Sequence, residues 1–211
     1  MPEHLTKLEP ASHTTGAVLI PVKAFGEAKG RLRDALDQPT RAALAQRMAT
    51  HLVQVQQNAT VAVCCDDASV AAWAESAGAA TIWCPGTDLN GAVQRGFAEL
   101  RHAGYRSVAI AHSDLPLATS LHGLLGWSGV TIVPDRHRTG SNVIALPTSI
   151  DFQFSYGAGS FQRHVLEAVQ HGRGLRIVHD ERLGWDIDHP DDLDVPEHCG
   201  VIDLLESEPT R

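Results

Sequence analysis

The chain has 211 residues, enough for one α/β domain with a full core, and its net charge of −8 excludes a broad nucleic-acid-binding face, since no basic surface dominates. Its 43% hydrophobic and 20% charged content are those of a soluble globular protein, and no apolar run approaches membrane-spanning length. An anionic small ligand is not excluded, because a few local Lys and Arg outweigh the mean field.

Residues 1–14 are mixed and polar and read as a flexible tail with no apolar secretory core. Residues 17–22 (AVLIPV) predict a buried strand, and the basic stretch 23–33 follows it. Leu44, Met48, Leu52 and Val55 recur at helical spacing and predict an amphipathic helix over 40–57. Strands are predicted at 60–64, 80–83 and 108–112, alternating with helices at 68–77 and 89–103. Further strands are predicted at 130–133 and 143–146, then a helix at 161–171 and short strands at 176–178 and 184–188. Residues 197–211 read as a second tail whose apolar patch at 201–205 suits a homodimer contact.

Alternating strands and helices favour a mixed, mostly parallel sheet covered on both faces by helices, with ligands at the carboxyl ends of the strands. No repeat or linker divides the chain, so one domain is expected over residues 15–196. Cys64, Cys65, Cys84 and Cys199 form no C-x-x-C and read as reduced thiols of a cytoplasmic protein.

The stretch from Lys23 to Arg33 puts Lys23, Lys29 and Arg31 beside Gly26 and Gly30 in one strand-to-helix connection. Such a loop either cradles phosphate or is a solvated basic turn. Asp114, just past a central strand, is either a metal or ribose ligand or a cap. Asp186 and Asp188 are two residues apart, which in a strand sends both carboxylates to one face. Paired hard oxygen donors without Cys or His suit magnesium. His189 and Pro190 read as the cap and first residue of a following helix, and Asp191 and Asp192 as helix-dipole residues. Two loops read as anion seats: the turn Gly157, Ala158, Gly159, Ser160 before a helix, and the donor-rich stretch from Arg136 through Thr139, Gly140 and Ser141 to Asn142. A cap and a polar hairpin are the plain alternatives. The single histidines His112, His122 and His164 read as structural or surface residues.

Taken in order, the segments IPVKAFGEAKGRL (20–32), DLNGAV (88–93), SDLPL (113–117), DRHRTGSN (135–142), YGAGSFQRH (156–164) and WDIDHPDDL (185–193) resemble the CofC-like family. Its members are 2-phospho-L-lactate or phosphoenolpyruvate guanylyltransferases of coenzyme F-420 biosynthesis. The resemblance implies a GT-A-like nucleotidyltransferase domain that uses GTP and magnesium. By position it puts Lys23, Lys29 and Arg31 on the nucleotide phosphates as the catalytic cations, with Asn90 and Gly91 near the nucleoside. Asp114, Asp186 and Asp188 would hold metal. Ser141, Gly157 and Ser160 would contact the acceptor phosphate, with Thr139, Gly140, Asn142 and Gly159 completing that seat. Tyr156 and Ala158 stand where the family usually has Phe and Pro, Ser141 where it has Thr, and His189 where it has Thr. Phosphoenolpyruvate, 2-phospholactate and 3-phosphoglycerate are the candidate acceptors, the product passing to a downstream transferase. The rivals are a sugar-phosphate or pterin nucleotidyltransferase of the same fold and a non-catalytic nucleotide-binding protein.

Overall fold

The computed structural model describes residues 16–56 and 59–195. The two predicted tails, Cys199 and the 201–205 patch lie outside the described residues.

Among the described residues seven strands form one sheet: β1 (Gly16–Pro21), β2 (Thr60–Cys65), β3 (Ala80–Trp83), β4 (Ser107–Ala111), β5 (Val130–Pro134), β6 (Ser141–Pro147) and β7 (Leu175–Ile177). Their order is β3-β2-β1-β4-β6-β5-β7. The pairs β1–β2, β1–β4, β2–β3 and β5–β7 are parallel, whereas β6 runs antiparallel to both β4 and β5. Four helices cover it: α1 (Gln38–Gln54), α2 (Ala68–Ser76), α3 (Leu89–His102) and α4 (Ser160–Gln170). The mixed, mostly parallel sheet read from the sequence is the one observed.

Both faces of the sheet are buried, which is why β1 is apolar without alternation. Val18 and Ile20 pack toward Leu52 of α1 and Trp73 of α2. Ala17 and Leu19 point the other way, toward Val93, Phe97 and Leu100 of α3. Each large side chain buried in this way contributes about 1.5–3 kcal/mol. Aspartates start the first three helices: Asp37 accepts from Thr40 N, Asp67 from Ser69 N and Val70 N, and Asp88 from Gly91 N. Cys64, Cys65 and Cys84 are buried free thiols. No helix among the described residues is long and apolar enough to cross a membrane.

One predicted strand is absent. Residues 184–188 form no ladder. Asp180 folds the preceding residues into a turn by accepting from Arg182 N and Leu183 N. Past that turn the segment lies beyond the end of β4, where Ile187 N donates to Asp114 O (3.2 Å). Ile187 is fully buried with Leu32, Leu44 and Met48, while its two aspartate neighbours reach the polar cleft. The two-residue spacing therefore acts as expected without strand pairing.

Close approach of α3 to β1 depends on Gly96, where a Cβ would lie 2.8 Å from both methyl carbons of Leu19. Gly96→Val is predicted to cost about 1–3 kcal/mol through overpacking. Thermal unfolding should show the loss as a lowered midpoint; an unchanged midpoint would mean that Leu19 yields freely.

Candidate active site

The carboxyl ends of β1 and β4 lie side by side because those strands pair in parallel. The loop after β1 is tightened by 3-10 turns at Phe25–Glu27 and Gly30–Leu32. Between them Lys29 adopts a left-handed backbone, φ 56° and ψ 40°, an uncommon state for a residue with a side chain. Its ammonium is directed inward. Lys29 Nζ lies 2.5 Å from Asp114 Oδ2 and 3.3 Å from Asp188 Oδ1, and Arg31 Nη1 lies 2.7 Å from Asp188 Oδ2.

Burial alone would lower the Lys29 pKa, but Asp114 and Asp188 outweigh it and the ammonium is held above its ordinary value. Burial likewise opposes ionisation of Asp114, yet Lys29 holds that carboxyl below the usual range. Asp186 behaves oppositely: burial first, then the charge of Asp114, raises its pKa, although Asn142 donates to it at 3.4 Å. Asp114 Oδ1 is buried and has no hydrogen-bond partner. The cleft thus holds more carboxylate than its buried cation balances. Among the described residues no three His, Cys, Asp or Glu side chains are gathered closely enough to hold a metal ion. Lys29 stands between Asp114 and Asp188 instead.

Asp192 aligns the Asp188 backbone. Its Oδ2 accepts from Asp188 N (2.7 Å) and His189 N (2.6 Å) at the head of the 3-10 turn Pro190–Leu193. His189 completes this capping box, as its sequence position suggests. Asp192 also pairs with Arg136, whose guanidinium lies 4.2 Å from the Trp185 ring centre. Arg136 is therefore engaged as a brace.

Lys23 is exposed on the rim of the cleft above Lys29 and Asp114. An adjoining hollow continues from Lys23 past Cys84 to Asp66, Thr87, Asp88 and Leu89. Asn90 and Gly91 are engaged internally. Asn90 Oδ1 accepts from Tyr156 N (2.6 Å) and its Nδ2 donates to Tyr156 O (3.3 Å), while Gly91 N donates to Asp88 Oδ1 (2.8 Å). Asn90 fixes α3 to the loop before α4, Gly91 closes the helix cap, and Thr87, Asp88 and Leu89 line the hollow. The resemblance pointed to Asn90 and Gly91 and not to these flanking residues.

The two predicted anion seats meet. Asp135 folds the 136–142 loop by accepting from Thr139 N, Thr139 Oγ1 and Gly140 N. Phe161 N of α4 donates to Thr139 O (3.2 Å) and Ser160 N to Gly157 O (3.0 Å). The helix start therefore has fewer available donors than its glycines suggest. Gly157 and Gly159 have φ of 118° and 73°, and Arg163 braces their turn through Ser155 O and Ala158 O. A bulge between Val133 and Pro134 pairs Val133 with Val143 but Pro134 with Ser141. Ser141 consequently faces α4, where its Oγ lies 3.0 Å from His164 Nδ1, and Asn142 reaches Leu183 O and Asp186. His164, read from sequence as a structural or surface residue, is fully buried at this junction and so is structural. Only its place in a helix shared with the Gly-Ser turn hinted at this.

The family model described as "Guanylyl transferase CofC like" matches residues 16–196. The chain belongs to this family. Its members are nucleotidyltransferases, and so is this chain. A phosphoenolpyruvate guanylyltransferase of Conexibacter woesei is 35% identical, over 83% of this chain and 84% of that protein. One of Chloroflexus aggregans is 28% identical over 83% and 94%. Among solved structures, a Desulfovibrio desulfuricans protein assigned to the nucleotide-diphospho-sugar transferases superposes with TM-score 0.69 at 18% identity, covering 86% of this chain and 85% of that one. A Leptospira borgpetersenii cytidylyltransferase does so with TM-score 0.57 at 13%, covering 86% and 84%. At such identities these structures establish the shared fold.

Burial pushes the His164 pKa down from 6.5 to about 4. Unfolding should therefore take up a proton between those values. The contribution is full above pH 6.5 and falls by roughly 3 kcal/mol as pH drops toward 4. Denaturant titrations at several pH values should show this slope, reduced in His164→Gln; an equal slope in both proteins would refute it.

Proposed function

We propose that the chain transfers GMP from GTP to the phosphate of phosphoenolpyruvate, releasing pyrophosphate, as a step of coenzyme F-420 biosynthesis in the cytoplasm. The observation that carries this reading is the gathering of Asp114, Asp186 and Asp188 with Lys29 and Arg31 where β1 and β4 end. Family membership supports guanylyl transfer, and the names of the relatives favour phosphoenolpyruvate over 2-phospholactate and 3-phosphoglycerate.

The chemistry of the donor set suits magnesium, although among the described residues the three carboxylates are not drawn together and Lys29 stands between Asp114 and Asp188. All three candidate ligands are carboxylates, Asp114 Oδ1 is buried without a partner, and the Asp186 pKa is raised first by burial and then by the charge of Asp114. Asp114, Asp186 and Asp188 would hold the metal, which would supply charge neutralisation at the phosphates.

Lys23, Lys29 and Arg31 serve the triphosphate of GTP, and the hollow beside Asp88 takes its nucleoside, with Asn90 and Gly91 nearby at the start of α3. Thr139, Gly140, Ser141, Asn142, Gly157, Gly159 and Ser160 seat the acceptor. An oxygen of the acceptor phosphate attacks the α-phosphorus of GTP. As that P–O bond forms, the bond to the β-phosphate oxygen breaks and its electron pair leaves with pyrophosphate. The nucleophile is already an anion at neutral pH, so no general base is required. What the protein must overcome is repulsion between two polyanions, and its cations and fixed loops do so by neutralisation and alignment. The guanylylated product suits onward use by a downstream transferase.

GTP should be mixed with each of the three phospho-acids, a sugar phosphate and a pterin, and the products weighed by mass spectrometry. A guanylylated phosphoenolpyruvate with equimolar pyrophosphate is expected; no adduct with any phospho-acid overturns the reading. Asp188→Asn should keep the wild-type circular dichroism yet lose turnover by on the order of 100-fold or more. Near-normal turnover would remove Asp188 from the metal site. Chelation should abolish pyrophosphate release, and added magnesium should restore it.

A further inference from the structure

His164 lies between the rings of Tyr156 and Phe152, with centroids 4.8 Å and 5.9 Å away. Its Nε2 is 2.9 Å from Ser155 N and its Nδ1 is 3.0 Å from Ser141 Oγ. A backbone N–H only donates, so Nε2 must present its lone pair. Burial keeps the ring neutral, with a pKa pushed down to about 4. Its single proton is then on Nδ1, directed at Ser141. Ser141 Oγ therefore accepts, and no acceptor for the Ser141 proton lies among the described residues.

That hydroxyl is buried beside the head of α4. Ser141 follows Gly140, where a Cβ would lie 3.9 Å from Ser160 Oγ and 2.9 Å from Asp135 Oδ2. The same stretch is joined to the head of α4 through Thr139 O and Phe161 N. A serine hydroxyl can donate or accept. The imidazole N–H engages one of the oxygen's two lone pairs and biases the hydroxyl toward offering its O–H.

We propose that His164 is a positioning residue for the acceptor: its Nδ1–H fixes the Ser141 hydroxyl as a donor to the substrate phosphate. This rests on the placing of Ser141 in the acceptor seat under the proposed function. His164 also accepts from Ser155 N, so a plain loop-bracing role must be separated from positioning.

Two substitutions separate them. In His164→Asn the amide N–H takes the place of Nδ1–H, and the acceptor for Ser155 is lost. In His164→Gln the amide oxygen takes the place of Nε2, and the donor to Ser141 is lost. Steady-state pyrophosphate release is measured with GTP and phosphoenolpyruvate varied in turn. His164→Gln should raise KM for phosphoenolpyruvate by about tenfold or more, with KM for GTP changed by less than about twofold. His164→Asn should keep KM for phosphoenolpyruvate near wild type. Ser141→Ala should reproduce the Gln effect, and Ser141→Ala with His164→Gln should add nothing to it. The proposal is overturned if Gln and Asn behave alike, if Asn alone shows the loss, or if the double variant is additive. Those outcomes leave wild-type turnover intact. Absence of pyrophosphate release by the wild type instead overturns the functional reading, and this one with it.

Discussion

The ammonium of Lys29, buried between the carboxylates of Asp114 and Asp188, sets the charge balance on which the cleft depends. Taking a lysine and a carboxylate out of water is costly unless they meet, and each is held ionised by the other. One buried ammonium does not balance three acidic groups. The deficit falls on Asp186, which is poorly placed to stay ionised, and on the unpartnered oxygen of Asp114. A cleft in this condition is relieved by further positive charge. Under the proposed function, Lys29 and Arg31 turn to the triphosphate once the carboxylates have another counter-ion.

The acidic centre and the acceptor loops share one polar frame. Asp192 holds the backbone of Asp188 and His189 and receives Arg136 from the 136–142 loop. Asn142 spans from that loop to Leu183 O and Asp186. Asn90 and Arg163 then hold the glycine turn from opposite ends. Loss of any member of this frame should disturb the cleft, because each fixes the position of a neighbour.

Much of the architecture was legible in local sequence. The apolar runs of β1 and β4 and the periodicity of α1 stated their elements to within a few residues. The aspartate pair 186/188 was legible because alternation of side chains needs only an extended local chain. What local sequence does not carry is contact across distance. Lys29 and Asp188 are 159 residues apart, and nothing in either segment specifies their meeting. The missing strand at 184–188 has the same origin, since whether an extended segment joins a sheet depends on what lies beside it. The structural role read for His164 holds, but its partners, Ser141 and Ser155, are not legible locally because a bulge and a turn bring them to it.

That bulge has a consequence for how the family can vary. Side chains alternate along a strand, so a one-residue slip exchanges its faces. The extra residue in β6 sends Ser141 toward α4 and Asn142 toward the acidic centre within two successive positions. A single-residue deletion here would reverse that parity, directing a hydroxyl at carboxylates and an amide at the imidazole. Length changes in the β5–β6 connection are therefore constrained by odd and even rather than by size, and natural variation should accumulate outside the stretch from Pro134 to Val143.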